Sequence, residues 1–303
     1  MTNGVNFKSF MLFIRLLYLY NDYLVKRFYY TILVHIPARC AGICVNIHIP
    51  IKSMVEKLIQ RTRWLKIYHK YCIGSIMSKL PLLPFYDPTV PYEIALDECG
   101  RGPMFGRVYA AAVVLPRDPE LFDYSLMKDS KKIHSKKKMK ELAEYIRTHA
   151  VCTSVQYEEA DVVDRVNILQ ADMLCMHKCI REIISNPITT SNTSILVDGN
   201  YFKPYGIYDD TTETLKFLPH TTIEKGDGKY AGIAAASILA KYERDAYIAE
   251  LCREYPVLSE RYALDRNMGY GTKAHMDGIA TYGITQWHRR SFGACKSATV
   301  TNI

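Results

Sequence analysis

Three short apolar runs end the same way, with a carboxylate and a glycine, and this shared ending constrains the fold more than any other feature. The first is Tyr92-Glu93-Ile94-Ala95-Leu96-Asp97-Glu98-Cys99-Gly100-Arg101-Gly102-Pro103, the second Ile195-Leu196-Val197-Asp198-Gly199-Asn200, and the third Ile223-Glu224-Lys225-Gly226-Asp227-Gly228. Apolar and β-branched residues favour strands, and Gly and Pro stop them. In an α/β sheet, functional groups collect outside the strand ends, so three acid-tipped strands can converge on one cation cluster. Each acid alone also fits a bland role: a solvated turn for Asp97 and Glu98, an Asp-Gly turn for Asp198, a helix N-cap for Asp227. Asp97 and Glu98 are adjacent, so their side chains leave a strand on opposite faces. The two are expected to share a site only if the chain turns at the glycine that follows.

The pattern from Pro81 onward alternates strands and helices, which predicts an α/β domain rather than a bundle or sandwich. Tyr92 to Leu96 and Arg107 to Leu115 read as a hairpin-like strand pair, with a further strand near Val151 to Tyr157. Helices are predicted over Ser135 to Thr148, Val166 to Ile184, Tyr230 to Leu251 and Thr272 to Tyr282, from apolar residues recurring at three and four. Ala234, Ala235, Ala236 and Ala240 would let the longest of these lie close against the sheet.

A hydrophobic content of 49% over 303 residues suffices for a globular core and excludes a disordered chain. The net charge of +8 suggests nucleic-acid binding at first sight, but 12 Lys and Arg against 2 Asp and Glu fall in residues 1–80. The remainder holds 27 basic and 29 acidic residues, so any basic surface there must be local. Nine scattered cysteines form no disulfide framework and indicate a reducing compartment. The pairs Cys40/Cys44 and Cys175/Cys179 each lack a second pair that would complete a zinc site, and His177 is expected to point away from its neighbouring cysteines.

The segment from Phe7 to Ile51 is rich in Leu, Ile, Tyr and Val, but Arg15, Asp22, Lys26, Arg27 and Arg39 interrupt it before the roughly 20 apolar residues of a membrane span. It makes a poor secretory signal; its arginines and scarcity of acids would suit an organelle transit peptide, the alternative reading, but such peptides are usually Ser-rich and it has few serines. The favoured expectation is that translation normally starts at Met77, about fifteen residues before the first acid-tipped strand. Residues 1–80 are thus set apart as an extension and 81–303 as the catalytic domain.

The blocks DECGRGPMFGRVYAAAVVL, KDSKKIHSKKK, VNILQADMLCM, LVDGN, EKGDGKYAGIAAASILAKYERD, NMGYGTKAH and HRRSF follow one another in an order and spacing that resembles ribonuclease HII, the type 2 ribonuclease H family. The resemblance covers about Val90 to Phe292, and several blocks in order are far more specific than one motif. It implies a ribonuclease H-like fold, with a central mixed β-sheet flanked by helices and a helical C-terminal part. It also implies an endonuclease that cuts the RNA strand of RNA/DNA hybrids, and cuts 5′ to single ribonucleotides in duplex DNA, leaving 3′-hydroxyl and 5′-phosphate ends. Roles in ribonucleotide repair and primer removal during replication, a cytoplasmic location and a monomeric state go with that expectation, with no small-molecule cofactor and no membrane association.

The family's catalytic set falls on Asp97, Glu98, Asp198 and Asp227, which would hold two divalent cations, Mg2+ or Mn2+, with Asp97 bridging. Hard carboxylate oxygens suit both cations, and crowded carboxylates repel, so at least one should have a raised pKa. Gly100, Arg101 and Gly102 match the family loop that reads the ribose. Glycines let backbone groups approach a 2′-hydroxyl closely, and an arginine can hold a phosphate. Tyr270 matches the tyrosine that packs on the sugar. Lys241 and Arg244 follow Ser237 on one helical face, which suits either contacts along a nucleic-acid backbone or ordinary solvated charge. The Lys128 to Lys132 block is read as phosphate contact or local structure, Lys136 to Lys138 as a solvated helix start, and Asp245 as structural. Cys99 replaces the family's alanine, and Arg107 its proline.

Two readings from other classes are weaker. A hybrid-binding protein without catalysis would lack a carboxylate, and none is missing. A nuclease for DNA junctions has no use for a 2′-hydroxyl reader.

Overall fold

Seven strands and seven helices make up the ordered framework of a computed structural model that describes residues 81–186, 192–301 and 303. The readings made on residues 1–80, including the start at Met77 and the Cys40/Cys44 pair, lie outside the described residues. The strands are β1 (Tyr92–Cys99), β2 (Val108–Val114), β3 (Cys152–Glu158), β4 (Thr193–Asp198), β5 (Gly206–Asp209), β6 (Thr214–Phe217) and β7 (His220–Ile223). The helices are α1 (Lys136–His149), α2 (Ala160–Val166), α3 (Ile168–Ile184), α4 (Ala231–Glu254), α5 (Val257–Tyr262), α6 (Leu264–Asn267) and α7 (Lys273–Tyr282).

Five strands form one mixed sheet in the order β3-β2-β1-β4-β7, with β1 antiparallel to β2 and parallel to β4, and β4 parallel to β7. The expected β1/β2 hairpin pair is present. β2 reads VYAAAVV and is buried at every position, as a strand covered on both faces must be. Among the described residues, strands β5 and β6 pair only with each other.

Two helices of opposite character cover the sheet. On one face α3 contributes Met176, Cys179, Ile180 and Ile183 to a cluster with Ile94, Leu96, Ala110 and Ala112. Ile180 is fully buried, and truncating it to Ala would cost roughly 2–5 kcal/mol. On the other face α4 lies against β1 and β2 through small residues, with Ala231 to Ala240 buried all round. A Cβ added at Gly232 would stand 2.8 Å from that of Ala95, so only glycine permits this approach. The alanines thus do what their spacing predicted.

One helix prediction is corrected. The run from Val166 to Ile184 breaks at Asn167, whose φ of +70° no continuous helix allows. Asparagine tolerates positive φ, and its side chain caps α3 by accepting from the N–H of Gln170 at 3.1 Å. A third cluster, with Phe105, Ile248, Leu258, Tyr262, Leu264 and Ile279, ties α5, α6 and α7 to the far half of α4. Among the described residues, no helix is long and apolar enough to cross a membrane.

Candidate active site

The parallel register of β1 and β4 pairs Leu96 with Val197, which brings Asp97 and Asp198 side by side at the carboxyl ends of neighbouring strands. Asp97, Glu98 and Asp198 each offer an oxygen within 4.8 Å of the others, a grouping that could hold a cation. β1 stays paired to β2 through Glu98 and Cys99, and the chain leaves the strand at the following glycine, Gly100, with φ +99°. The two side chains do leave on opposite faces. Asp97 accepts a hydrogen bond from Ser237 on the α4 side. Glu98 lies on the α3 side, where it shares Arg101 with Asp172 of α3. The β1/β4 ladder ends at Leu96, and past that edge a glutamate is long enough to meet the aspartates from the opposite face.

Burial, then the nearby charges of Glu98 and Asp198, push the Asp97 carboxyl well above the usual range. Burial also raises Glu98, with Arg101 opposing and Asp198 reinforcing the shift. Such a set is frustrated as it stands and is relieved by a cation.

Asp227 sits apart from the trio in a 3-10 turn, 7% exposed, with its carboxylate 3.7 Å from the Lys131 ammonium. Burial is the main cause of its raised pKa, opposed by Lys131 and reinforced by Asp198. The N–H of Gly226 donates to Asp198 Oδ1 at 2.5 Å, so the turn that carries Asp227 is fastened to the neighbouring acid. A Cβ at Gly226 would lie 2.4 Å from Ile233, which fixes glycine there. The donor set is oxygen throughout, without His or Cys, and this fits a hard divalent cation rather than zinc.

The glycine-arginine-glycine loop runs directly from β1. Gly100 has φ +99°, and a Cβ there would stand 2.5 Å from Arg244 Nε. Arg101 is half-exposed, with its guanidinium 3.6 Å from Glu98 and 3.7 Å from Asp172. A Cβ at Gly102 would lie 3.6 Å from the ring of Tyr270, itself 49% exposed, so loop and tyrosine form one accessible surface.

Arg244 departs from its sequence reading. It is 1% exposed, and one guanidinium nitrogen donates to the carbonyls of Met268 at 2.8 Å and Phe105 at 3.4 Å. It cannot run along a nucleic-acid backbone as a solvated charge, because the C-terminal segment covers it. Lys241, on the same face, pairs with Asp245 at 2.7 Å. Both residues nevertheless border the site, since their charges act on the half-buried Cys99 thiol, which desolvation pushes up to about 11.

Several contributors carried no distinct signal in the sequence. The hydroxyls of Ser130 and Ser237 lie 2.9 Å apart, so the Lys128 to Lys132 block reaches Asp97 through Ser237, while Lys131 reaches Asp227. Asp172 is fully buried, and among the described residues neither of its oxygens accepts a hydrogen bond. Arg289, also fully buried, donates to the carbonyls of Gly106, Pro103 and Arg101, and so pins the loop from behind. Arg107 stacks between the rings of Tyr157 and Tyr247 and bonds Glu159, which secures the start of β2 without the family's proline. His177 faces away from the cysteines, bonding the carbonyl of Lys203.

The sequence profile of the family described as ribonuclease HII matches residues 94–295. A ribonuclease HII of Parabacteroides distasonis is 43% identical over 70% of this chain and 94% of its own length. One from Bacteroides fragilis is 41% identical over 70% of this chain and 93% of its own. The crystal structure of the ribonuclease H2 from Pyrococcus horikoshii OT3 shares the fold, with a TM-score of 0.50 and 21% identity, covering 68% of this chain and 95% of that one.

Proposed function

The chain belongs to the ribonuclease HII family and is a nuclease, a hydrolase of phosphodiesters; we propose that it is an endoribonuclease that cuts the RNA strand of RNA/DNA hybrids and cuts 5′ to single ribonucleotides in duplex DNA. The observation that carries this reading is the carboxylate trio at one sheet end beside a glycine-lined loop and an exposed tyrosine.

Asp97, Glu98 and Asp198, with Asp227 alongside, would hold two divalent cations, Mg2+ being the expected pair and Mn2+ an accepted substitute. When bound, such cations activate an attacking water and neutralise charge on the leaving oxygen, giving 5′-phosphate and 3′-hydroxyl ends. The chain's own residues do the rest. Ser237 orients Asp97, and the Gly226 N–H orients Asp198. Gly100 and Gly102 bare backbone groups for the 2′-hydroxyl, and Tyr270 packs on the sugar. Arg101, released from Glu98 and Asp172, binds a phosphate. Lys241 adds a positive charge at the rim, whereas Arg244 acts by shaping the loop.

Residues 81–303 form the catalytic domain in this reading, and residues 1–80 are an extension. A monomer is the expected state in this reading. All six described cysteines are free thiols, as suits the cytoplasm. Removal of embedded ribonucleotides and of replication primers is the matching cellular role.

The test is cleavage of an end-labelled DNA duplex carrying one ribonucleotide, beside an all-DNA control, with and without Mg2+. Cutting 5′ to the ribonucleotide only with metal supports the proposal. Inactivity of both the full chain and a chain starting at Met77 overturns it.

A further inference from the structure

Beneath Tyr270 runs a line of buried polar groups that the proposed chemistry does not use. Thr285 and His275 are 0% exposed and His288 is 1% exposed. The backbone N–H of Thr285 lies 3.0 Å from His288 Nδ1, the two Nε2 atoms of His288 and His275 lie 3.1 Å apart, and His275 Nδ1 lies 3.0 Å from the carbonyl oxygen of Tyr270. The rings of Phe105 and Tyr262 close around the pair.

The two ends of this line fix its polarity. A backbone N–H can only donate, so His288 Nδ1 carries no proton and a neutral His288 bears it on Nε2. That N–H points at His275 Nε2, which must therefore accept. His275 then holds its proton on Nδ1, facing the Tyr270 carbonyl, which can only accept. Burial holds both imidazoles below their usual range, His288 at about 3, so both are neutral at pH 7. No other pair of neutral tautomers satisfies all three contacts.

We propose that His275 and His288 are positioning residues for substrate recognition, locked in opposite tautomers so that His275 Nδ1–H holds the Tyr270 carbonyl and sets the Tyr270 ring beside Gly102. The inference rests on the reading of Tyr270 as the sugar-packing residue. Thr272 N–H donates to the same carbonyl at 2.8 Å, so the turn is gripped from two sides, and the Arg244 guanidinium lies 5.9 Å from the ring's centre. The tyrosine is thereby exposed yet placed, as a group that must meet a sugar without reorganising should be.

Long-range proton–nitrogen correlation on the full chain, labelled with 15N-histidine, reads the tautomers directly. The expected spectrum shows the Nδ1–H form for His275 and the Nε2–H form for His288. The same form at both positions overturns the relay. The kinetic arm uses His275→Asn, whose amide retains a donor near the Nδ1 position, and His275→Phe, which has none. On the single-ribonucleotide duplex, His275→Phe should raise KM about tenfold with kcat within about threefold, and His275→Asn should restore most of the loss. In a Tyr270→Ala background the two variants should become equivalent to the parent. Persistence of the KM effect there overturns the proposal. If Tyr270→Ala alone cleaves as well as wild type, the sugar-packing reading has failed, and with it the relay's role in recognition, whatever the tautomers. Where His275→Phe does not fold, the tautomers of the wild-type chain decide alone.

Discussion

The two halves of the site are built by different means. The carboxylate half is placed by backbone regularity: β1 and β4 run parallel in register, so two aspartates arrive together at the sheet end. The recognition half has no such regularity and is held by buried cations and imidazoles that grip carbonyl oxygens. Arg244 takes Phe105 and Met268, Arg289 takes Arg101, Pro103 and Gly106, and His275 takes Tyr270. A sheet end can bring repelling charges together because the ladder beneath it is rigid. A loop proposed to present backbone groups to a ribose needs side chains behind it, since it has no ladder of its own.

The sharpest way to break this comparison is to injure each half separately. Asp97→Asn should lower the metal-dependent cleavage rate on the order of a thousandfold, a loss of about 4 kcal/mol of transition-state stabilisation. It should leave the fold intact, because it removes a repelling charge from a buried cluster. Thermal unfolding and single-turnover kinetics on one preparation check both statements.

The recognition half should respond in the opposite sense. Arg244→Ala leaves two buried carbonyls without their donor and opens a void against Gly100, so a stability loss of roughly 2–4 kcal/mol is expected. Urea unfolding measures it, and a change below about 0.5 kcal/mol would show that the buried grip is not structural. Gly100→Ala should weaken ribonucleotide cleavage through the same contact, since its Cβ has no room beside Arg244 and its φ is positive.

A smaller effect separates chemistry from scaffolding at the boundary of the halves. Ser237→Ala removes one hydrogen bond to Asp97 and one to Ser130, and kcat should fall about three- to tenfold with little change in KM. A change in KM alone would move Ser237 out of the carboxylate half.

The mildest test is acid. The folded-state pKa of His288 lies near 3, below the unfolded value of about 6.5, so the unfolded chain binds a proton first as pH falls. The stability this histidine contributes is complete above about pH 6.5 and declines toward pH 3, by at most about 1.4 kcal/mol per pH unit. Comparing His288→Gln with wild type by urea unfolding at pH 7 and 5.5 isolates it from the carboxylates, whose raised pKa values act in the other direction. An equal acid sensitivity in both proteins would contradict a neutral, buried His288.

The same contrast decides what the sequence discloses. Asp97 and Asp198 are legible because an apolar run, an acid and a glycine state both the strand and its end, whereas Asp227 lies past the end of β7 in a 3-10 turn that the pattern does not state. The manner in which Glu98 joins them is not legible, since residue alternation says it should point away and only the end of the β1/β4 ladder lets it reach round. The face carrying Ser237, Lys241 and Arg244 is also legible from helical spacing. That Arg244 is covered is not, because the segment covering it comes from residues 268–289 in a separate cluster. His275, His288 and Arg289 lie in blocks that resemble the family but give no local sign of what they hold. Their partners are backbone carbonyls, which every sequence has everywhere. The exposed face of the β5/β6 hairpin was equally silent, its strands being four residues each.

The most direct measurement of the central claim, that the acids cut while a separately built surface recognises, is to follow binding and cleavage of a single-ribonucleotide duplex by Asp198→Asn in Mg2+. The account predicts a dissociation constant within about threefold of wild type, retained preference over the all-DNA duplex, and cleavage slowed on the order of a thousandfold. Cleavage at the wild-type rate, or loss of the preference for the ribonucleotide together with loss of cutting, would contradict it.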